Sequence, residues 1–369
     1  MSYGVNRKTS HSELNKNGQD FKDSGMKAWL MDYLACPSCC GRLDIPSPSP
    51  LSDQTRDGDL KALHCAGCSI TYPIRNGIPR FPINASVTTN DKVVRTRNTY
   101  DFTWQRFGAP EIKQDWEKDS YQYQKLVPAD IFDGENQVGL DAGCGGGADL
   151  IKFWRDGVKV IGFDLSTGVD AIAEIVEPTE RGALVQGDLH LLPFQRNVFD
   201  FVYSFGVLHH LPEPQRGLEG LVKLLKPGAP IVTYLYEKFE TQSGWVRFSL
   251  WIVNHVRRVT SRLSPSVLLA CCWLVVPFIW LMFSLPARIT AWMSPNRVEP
   301  WPFSHTIRWP VLVADLFDRF APPVEHRFTQ DEVKALYAKC GLERVEARRY
   351  RGWVCWGFKT SETMRDPLA

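Results

Sequence analysis

The residues able to do chemistry fall into two groups, a set of paired cysteines and a set of carboxylates spaced along a glycine-rich stretch. Cys36-Pro-Ser-Cys39 and Cys65-Ala-Gly-Cys68 are CxxC pairs separated by 25 residues. Each pair turns so that both sulfurs face one point, and two pairs complete a four-thiolate set suited to structural zinc. Four cysteines leave no coordination position for water, which argues against a catalytic metal. Cys40 stands beside the first pair, but consecutive residues cannot both reach one ion without strain. A zinc-free ribbon of reduced thiols is the other reading of the same residues.

The stretch from Val138 to Gly147 is an apolar strand running into a glycine turn, with a helix starting near Ala148. Backbone without side chains admits a ligand closely, and a helix N-terminus presents free N–H groups. Gly143, Gly145 and Ala148 also satisfy the GxGxxA dinucleotide fingerprint, and Asp164 at the next strand end suits a ribose diol under either reading. Two further acids separate the readings. Asp141, two residues before the first glycine, would face a positively charged amino-acid group and repel a pyrophosphate. Asp188, ending the third strand, is placed to accept from an adenine amino group. His209 and His210 follow the fourth strand at the rim, and His209 is the candidate base. A histidine that only caps the strand–helix turn is the competing reading.

Positioning these groups requires strands whose ends converge. Apolar runs VGLDA (138–142), KVIGFD (159–164), ALVQGD (183–188), FDFVYSFG (199–206) and APIVTYLY (229–236) alternate with helical stretches, the pattern of a parallel sheet covered by helices. The pattern breaks after Tyr236 and resumes at Thr329, which forms a capping box with Glu332. Val333, Leu336, Tyr337 and Cys340 share one face of that helix, Gly341 stops it, and strands near Arg344–Tyr350 and Trp353–Phe358 end the sheet. A chain of 369 residues fits two domains or one core with a large insertion. With 44% hydrophobic and 23% charged residues it has ordinary soluble composition. A net charge of +2, from 43 basic and 41 acidic residues, is too balanced to hold nucleic acid by bulk electrostatics. The first 25 residues are polar with no apolar core, so a disordered tail, no secretory signal and a cytoplasmic protein are expected.

Two resemblances follow from these motifs. The knuckles, with Tyr72–Pro79 reading YPIRNGIP, resemble the small zinc-ribbon activator subunit that partners methyltransferases acting on tRNA and translation factors. In that family the ribbon pairs its own sheet with a methyltransferase and shields an apolar surface. The glycine turn, the three acids, FDFVYSFGVLHHL (199–211) and LLKPGAPIV (224–232) together resemble the class I S-adenosylmethionine-dependent methyltransferases, in the small-molecule group that includes ubiquinone and menaquinone C-methyltransferases. The resemblance implies that Asp141, Gly143, Gly145 and Gly147 frame the methionine part of the cofactor. Asp164 would hold the ribose with Leu165 beside the adenine, Asp188 and Leu189 would fix the adenine, and Ser204 with Phe205 would line the floor. Gly228-Ala229 departs from the paired glycines frequent in that family, at a turn outside the cofactor site. Tyr100 and Trp104 resemble its N-terminal lid, and plain packing explains them as well.

Residues 238–310 carry eight Lys/Arg against Glu240 and Glu299, and seven of the thirteen tryptophans. No charge occurs between Arg262 and Arg288, and Val267–Leu285 would be ~28 Å long as a helix. A single crossing would strand half the sheet, so a true span ranks behind the two leading readings, a helix pair in or re-entering the membrane interface and a soluble lid. On the preceding helix Trp245, Phe248, Ile252, Val256, Val259 and Leu263 share the apolar face, opposite Arg247, Asn254, Arg258 and Ser261. The expected fold is a Rossmann-like seven-stranded α/β sheet with a small N-terminal zinc ribbon and a mostly helical apolar insertion. The expected division is a tail at 1–28, the ribbon at 29–84, the methyltransferase domain at 85–237 and 325–360, and the insertion at 238–324. The expected activity is in-line methylation of a lipophilic small molecule or lipid-linked acceptor, with no nucleic-acid partner and with peripheral contact to the cytoplasmic membrane face through 238–310. The alternatives are a non-catalytic cofactor-binding regulator and a tRNA or protein methyltransferase. The last is weakened because Ser204-Phe-Gly-Val207 stands where amino-methylating relatives carry (Asn/Asp)-Pro-Pro-(Tyr/Phe).

Overall fold

The computed structural model describes residues 24–46, 61–82, 91–107, 127–128, 131–132, 136–175, 180–238, 240, 244–293, 308–350 and 352–361. Most of the polar tail, most of the stretch between the two CxxC pairs, and Trp301 lie outside the described residues. Strands β1 (Leu43–Asp44), β2 (Ala62–Cys65), β3 (Thr71–Arg75) and β4 (Ile78–Pro79) form an antiparallel sheet in chain order. Between β3 and β4, Asn76 and Gly77 sit at φ of 53° and 73°, the left-handed pair that a two-residue hairpin demands.

The other seven strands are β5 (Val138–Ala142), β6 (Lys159–Asp164), β7 (Gly182–Gln186), β8 (Phe201–Phe205), β9 (Pro230–Leu235), β10 (Leu342–Arg349) and β11 (Trp353–Lys359). They form one sheet in the order β10-β11-β9-β8-β5-β6-β7, parallel from β9 to β7, with β11 reversed between β9 and β10. This is the Rossmann-like seven-stranded sheet expected from the alternating runs. Strand order reverses at β5, which has β6 on one side and β8 on the other. In open α/β sheets the carboxyl ends at such a switch point open the ligand crevice.

Helices α1 (Asp91–Phe107), α2 (Ala148–Arg155), α3 (Gly168–Ile175), α4 (Pro214–Leu224), α5 (Gly244–Thr260), α6 (Pro265–Ile279), α7 (Leu285–Met293), α8 (Trp309–Phe320) and α9 (Gln330–Lys339) complete the described elements. Leu150, Ile151, Phe153, Val169 and Ile172 of α2 and α3 pack with Phe201, Tyr203, Val232 and Val354 on one side of the sheet. Leu218 and Leu221 of α4, with Val333, Leu336 and Tyr337 of α9, pack with Leu140, Ile161 and Val202 on the other. The capping box forms, with Thr329 accepting from the Glu332 amide and Glu332 from the Thr329 amide.

The ribbon shares this second core. Leu30, Leu34, Leu63, Tyr72, Ile74 and Phe81 belong to the same buried cluster as Phe163, Val185, Phe194 and Phe199. Backbone pairing continues across the seam: Arg80 bridges Gln186 in parallel, and the Phe81 amide donates to the Gln186 carbonyl at 2.8 Å. The edge of β7, which would otherwise offer unpaired peptide groups, is thereby covered. The Arg80 guanidinium meets both carboxylate oxygens of Asp170 at 2.5 and 3.1 Å, and Tyr33 stacks on Phe199 with centroids 5.5 Å apart.

The insertion is organised around α8, whose Val311, Leu312, Val313, Ala314, Leu316 and Phe317 are all buried. From Pro265 to Thr290 the chain is one continuous 26-residue helix, α6 and α7 joined by a π-helical turn at Trp280–Ser284. Pro277 supplies no N–H to the ladder, and the widened turn follows it directly. Leu268, Cys272 and Val276, spaced by four, bury one stripe of α6 in the cluster formed by α8. Much of the remaining surface of α6 and α7 faces outward: Leu274 is 73% exposed, Phe278 67% and Trp292 83%.

One core spanning the ribbon and the sheet implies one unfolding event. Calorimetric melting should give a single transition in which the two parts lose structure together. Phe81→Ala should destabilise the whole by about 3–5 kcal/mol, the range for emptying a buried aromatic site. Two separate transitions, with only the first moved by the substitution, would contradict the shared core.

Candidate functional site

Cavities open at the carboxyl ends of β5, β6 and β8. One, of about 150 Å³, is lined by Gly143, Gly145, Asp164, Leu165, Ser166, Asp188, Leu189, His190, Phe205, Val207 and His210, with Arg97, Tyr100 and Trp104 from α1. The other, of about 130 Å³, is lined by Asp141, Gly143, Cys144, Gly145, Gly146, Ala148 and Asp149, again with Trp104 and Phe205. Shared walls make them adjacent compartments, and the Trp104 indole lies on the glycine turn beside both. Gly145 has φ 51°, and a Cβ there would come within 2.5 Å of that ring. Gly143 has φ 87°, and a Cβ would meet Val207 at 2.2 Å. Only glycine fits either place.

The turn is bound to the end of β6. The Gly143 amide donates to the Phe163 carbonyl at 2.7 Å, and the Gly145 amide to Asp164 Oδ2 at 2.8 Å. Asp164 Oδ1 accepts from both the amide and hydroxyl of Ser166, at 2.7 and 2.6 Å. Burial raises the Asp164 pKa above the usual carboxylate range despite these donors. The Asp141 pKa is pushed well up, first by desolvation and then by the neighbouring charges of Asp149 and Asp164. Three carboxylates under one glycine turn favour a cation or hydrogen-bond donors and disfavour a pyrophosphate. Asp188 is buried and accepts from the amide of His190, whose ring Nδ1 is also 2.9 Å away. The acceptor set therefore fits an S-adenosylmethionine-like group, whose ammonium, ribose hydroxyls and adenine amine are all donors, on a backbone cradle.

Three of the expected site residues sit away from the two cavities. Ser204 is fully buried and donates to the Ala142 carbonyl at 2.8 Å, tying β8 to β5; it lines neither cavity, because strand alternation turns it into the sheet. Gly147 lies behind the turn, at the N-cap of α2 against Ile172. His209 is fully buried, its ring stacked 3.9 Å from Tyr236, and desolvation lowers its pKa far below the ordinary histidine range. His210 reaches the cavity instead. Its Nδ1 lies 2.8 Å from the Val324 carbonyl, which only accepts, so Nδ1 carries the proton and Nε2 the lone pair. Tyr100 approaches the His210 ring edge-on at 5.6 Å. Asp149 and Ser166 were not singled out from the sequence. Their signal is position, in the first turn of α2 and two residues after Asp164.

In the ribbon, the sulfurs of Cys36, Cys39, Cys65 and Cys68 all lie within 4.8 Å of one another, with Cys36–Cys68 at 3.5 Å and Cys39–Cys65 at 3.4 Å. A tetrahedron with Zn–S bonds of ~2.3 Å has edges of about 3.8 Å, so the spacing suits zinc. Tyr72 Oη lies 3.0 Å from Cys36 Sγ, and a Cβ on Gly41 would come within 3.1 Å of Cys39 Sγ. Cys40 is exposed and outside the cluster.

The raised Asp141 pKa carries a signed consequence. The folded protein binds that proton more tightly than the unfolded chain, so stability falls as pH rises from the ordinary carboxylate value to the raised folded one, and acidification relieves the cost. Asp141→Asn should therefore raise the melting temperature of cofactor-free protein at neutral pH and flatten its rise toward acid, while weakening cofactor binding. A lower melting temperature would show that the charge is already compensated. For the ribbon, metal analysis should find about one zinc per chain, lost in Cys36→Ser with reduced solubility while the main sheet survives. Metal-free protein of full stability would contradict that.

Residues 140–233 match the methyltransferase domain family, and residues 27–77 match the Trm112p-like protein family. Phosphoethanolamine N-methyltransferase 2 of Caenorhabditis elegans is 31% identical over 112 residues, covering 30% of this chain and 25% of that protein. Ubiquinone biosynthesis O-methyltransferase of Coxiella burnetii is 31% identical over 94 residues, covering 25% of this chain and 40% of that enzyme. The chain thus spans between a quarter and two fifths of the length of these relatives. Among solved structures, the complex between the Haloferax volcanii Trm112 methyltransferase activator and a putative methyltransferase aligns with 14% identity and a TM-score of 0.42, over 71% of this chain and 97% of that one. One polypeptide thus carries a match to the Trm112p-like protein family followed by a match to the methyltransferase domain family.

Proposed function

We propose that this protein is an S-adenosylmethionine-dependent methyltransferase acting on a lipophilic small-molecule acceptor at the cytoplasmic face of a membrane. The observation that carries the cofactor is the convergence of Asp141, Asp149 and Asp164 on the glycine turn at the switch point of the sheet. Asp141 and the backbone at Gly143 and Gly145 receive the amino-acid part, Asp164 the ribose, and Leu165, Asp188 and Leu189 the adenine, above Phe205. When bound, the sulfonium supplies an electrophilic methyl group. The chain's own task is alignment, since holding the acceptor in line contributes several kcal/mol. His210 Nε2 takes the proton that a hydroxyl or carbon-acid acceptor must lose.

In this reading the ribbon (29–84) is a built-in stabiliser holding structural zinc, 85–237 with 325–360 is the catalytic domain, and 238–324 is the membrane contact. Support for a lipophilic acceptor comes from the insertion's place beside the cavity. Tyr100 and Trp104 line it, while Phe102 of the same helix packs on Phe317 of α8 at 5.4 Å. The outer face of α5 exposes Phe248, Trp251, Ile252, Val256 and Val259, the stripe that a soluble lid would bury. Because α6 is pinned along α8 by its buried stripe, the pair lies in the interface and does not cross the bilayer.

The test is transfer of an isotopically labelled methyl from S-adenosylmethionine into membrane lipid extract, read by mass spectrometry. Label should enter an apolar product, and His210→Ala should slow it by about 10²–10⁴-fold with cofactor binding retained. Label in tRNA or protein alone, or no turnover with bound cofactor, would overturn the reading. Vesicles containing anionic lipid should co-sediment the protein, and Leu274→Glu with Phe278→Glu should abolish this. Indifference to vesicles would make the insertion a soluble lid.

A further inference from the structure

The inward side of α5 carries a buried arginine that neither the cofactor site nor the membrane face uses. Arg257 is 9% exposed on a helix whose other side is lined with exposed apolar residues. Its Nε donates to the Arg319 carbonyl at the end of α8 at 2.9 Å, and its Nη1 meets Glu325 Oε1 at 2.7 Å. Glu325 is itself buried and also accepts from Arg327 Nε and Nη2, each at 2.8 Å. Arg327 in turn donates to the Glu237 carbonyl at 3.1 Å.

These contacts fix the segment 322–328, which crosses from α8 to α9 over the ends of β8 and β9. Its Val324 carbonyl holds His210 Nδ1, its His326 amide donates to the His209 carbonyl at 2.8 Å, and its Phe328 amide donates to the Tyr236 carbonyl at 2.9 Å. The residue that sets the His210 tautomer is therefore the immediate neighbour of the residue that Arg257 grips. A covalent neighbour of a doubly clamped carboxylate has little freedom to turn its carbonyl away, whereas an unclamped one does.

We propose that Arg257 is a positioning residue: through Glu325 and the Val324 carbonyl it holds His210 in the Nδ1-protonated form, and so links the seating of the membrane-facing helix to the acceptor side of the cavity. This rests on the membrane reading of the insertion for the input and on His210 for the output. The groups facing His210 are Tyr100 from α1, His209 beside it, Tyr236 after β9, Arg257 from α5, and Glu325 and Arg327 from the segment itself. Burial lowers its pKa first of all; Glu325 opposes this, and the two arginines add to it. Removing Arg257 thus acts in one direction, allowing His210 to gain a second proton at higher pH, and leaves Glu325 clamped by Arg327 alone, which loosens the carbonyl that selects the tautomer.

The experiment is nitrogen NMR of histidine-labelled full-length protein, with His210 assigned by His210→Asn, on wild type, Arg257→Gln and Arg257→Lys. Wild type should show the Nδ1–H tautomer through neutral pH. Arg257→Gln should show a tautomer mixture titrating at higher pH, and Arg257→Lys should restore most of the wild-type signature. Calorimetric binding of S-adenosylhomocysteine checks that each variant is folded. If Arg257→Gln fails that check, Trp251→Glu with Val259→Glu on the outer face of α5 replaces it, read in the presence of phosphatidylcholine–phosphatidylglycerol vesicles. Loss there of a vesicle-dependent sharpening of the His210 signal supports the link. An unchanged His210 signature in folded Arg257→Gln overturns the proposal. A changed signature in protein that never co-sediments with vesicles leaves Arg257 as a positioning residue and removes the membrane input.

Discussion

A buried, like-charged cluster is the constraint on which the rest of the site depends. Asp141, Asp149 and Asp164 stand close enough that burial and mutual repulsion both oppose ionisation of Asp141. Such a cluster is costly in an apoprotein, and the surrounding structure offsets the cost with donors aimed at Asp164: the Gly145 amide, the Ser166 amide and the Ser166 hydroxyl. Tyr203 meets Asp149 with its hydroxyl at 2.9 Å. Only a glycine turn lets the backbone come this near, and only the reversal of strand order at β5 leaves the space above it open. Charge, turn and topology thus suit a cationic ligand and disfavour a pyrophosphate at the same helix N-terminus.

The outer parts of the molecule serve this centre by covering edges. The ribbon closes the β7 edge of the sheet and shares its core, so that Phe81, Tyr72 and Phe163 are packed from both sides of the seam. The insertion covers the opposite rim. Its α8 packs inward on α1, the helix that brings Tyr100 and Trp104 to the cavity, while α5 to α7 turn their aromatic and aliphatic stripes outward. Exposed apolar surface of that kind is the usual mark of an interaction surface.

Much of the centre was legible because its chemistry is local in sequence. The strand, the glycine turn and the acid two residues before it lie within ten consecutive residues, the acid at 164 ends the next strand, and the acid at 188 follows the strand after that by two residues. Both CxxC pairs read the same way, since each is a single turn. What could not be read is orientation after a strand ends. His209 and His210 are adjacent in a short 3₁₀ turn, so a rotation of the chain decides which ring meets the cavity, and the deciding contact is a carbonyl 114 residues away. Ser204 sits away from the cavities for the complementary reason: it is the last fully buried residue of β8, one step before the chain opens at Phe205. The amphipathic stripe of α5 was visible, but the direction it faces depends on Arg257 and Thr260 anchoring the helix to the end of α8.

The central claim is that the carboxylate cluster and glycine turn form a site for S-adenosylmethionine. Calorimetric titration of purified full-length protein with S-adenosylmethionine and, separately, with NAD tests it most directly. The account predicts micromolar binding of S-adenosylmethionine that weakens in Asp164→Ala by about 1.5–3 kcal/mol, the worth of a hydrogen bond to a charged group, and no binding of NAD. Tight binding of NAD, with S-adenosylmethionine failing to displace it, would contradict the account at its foundation.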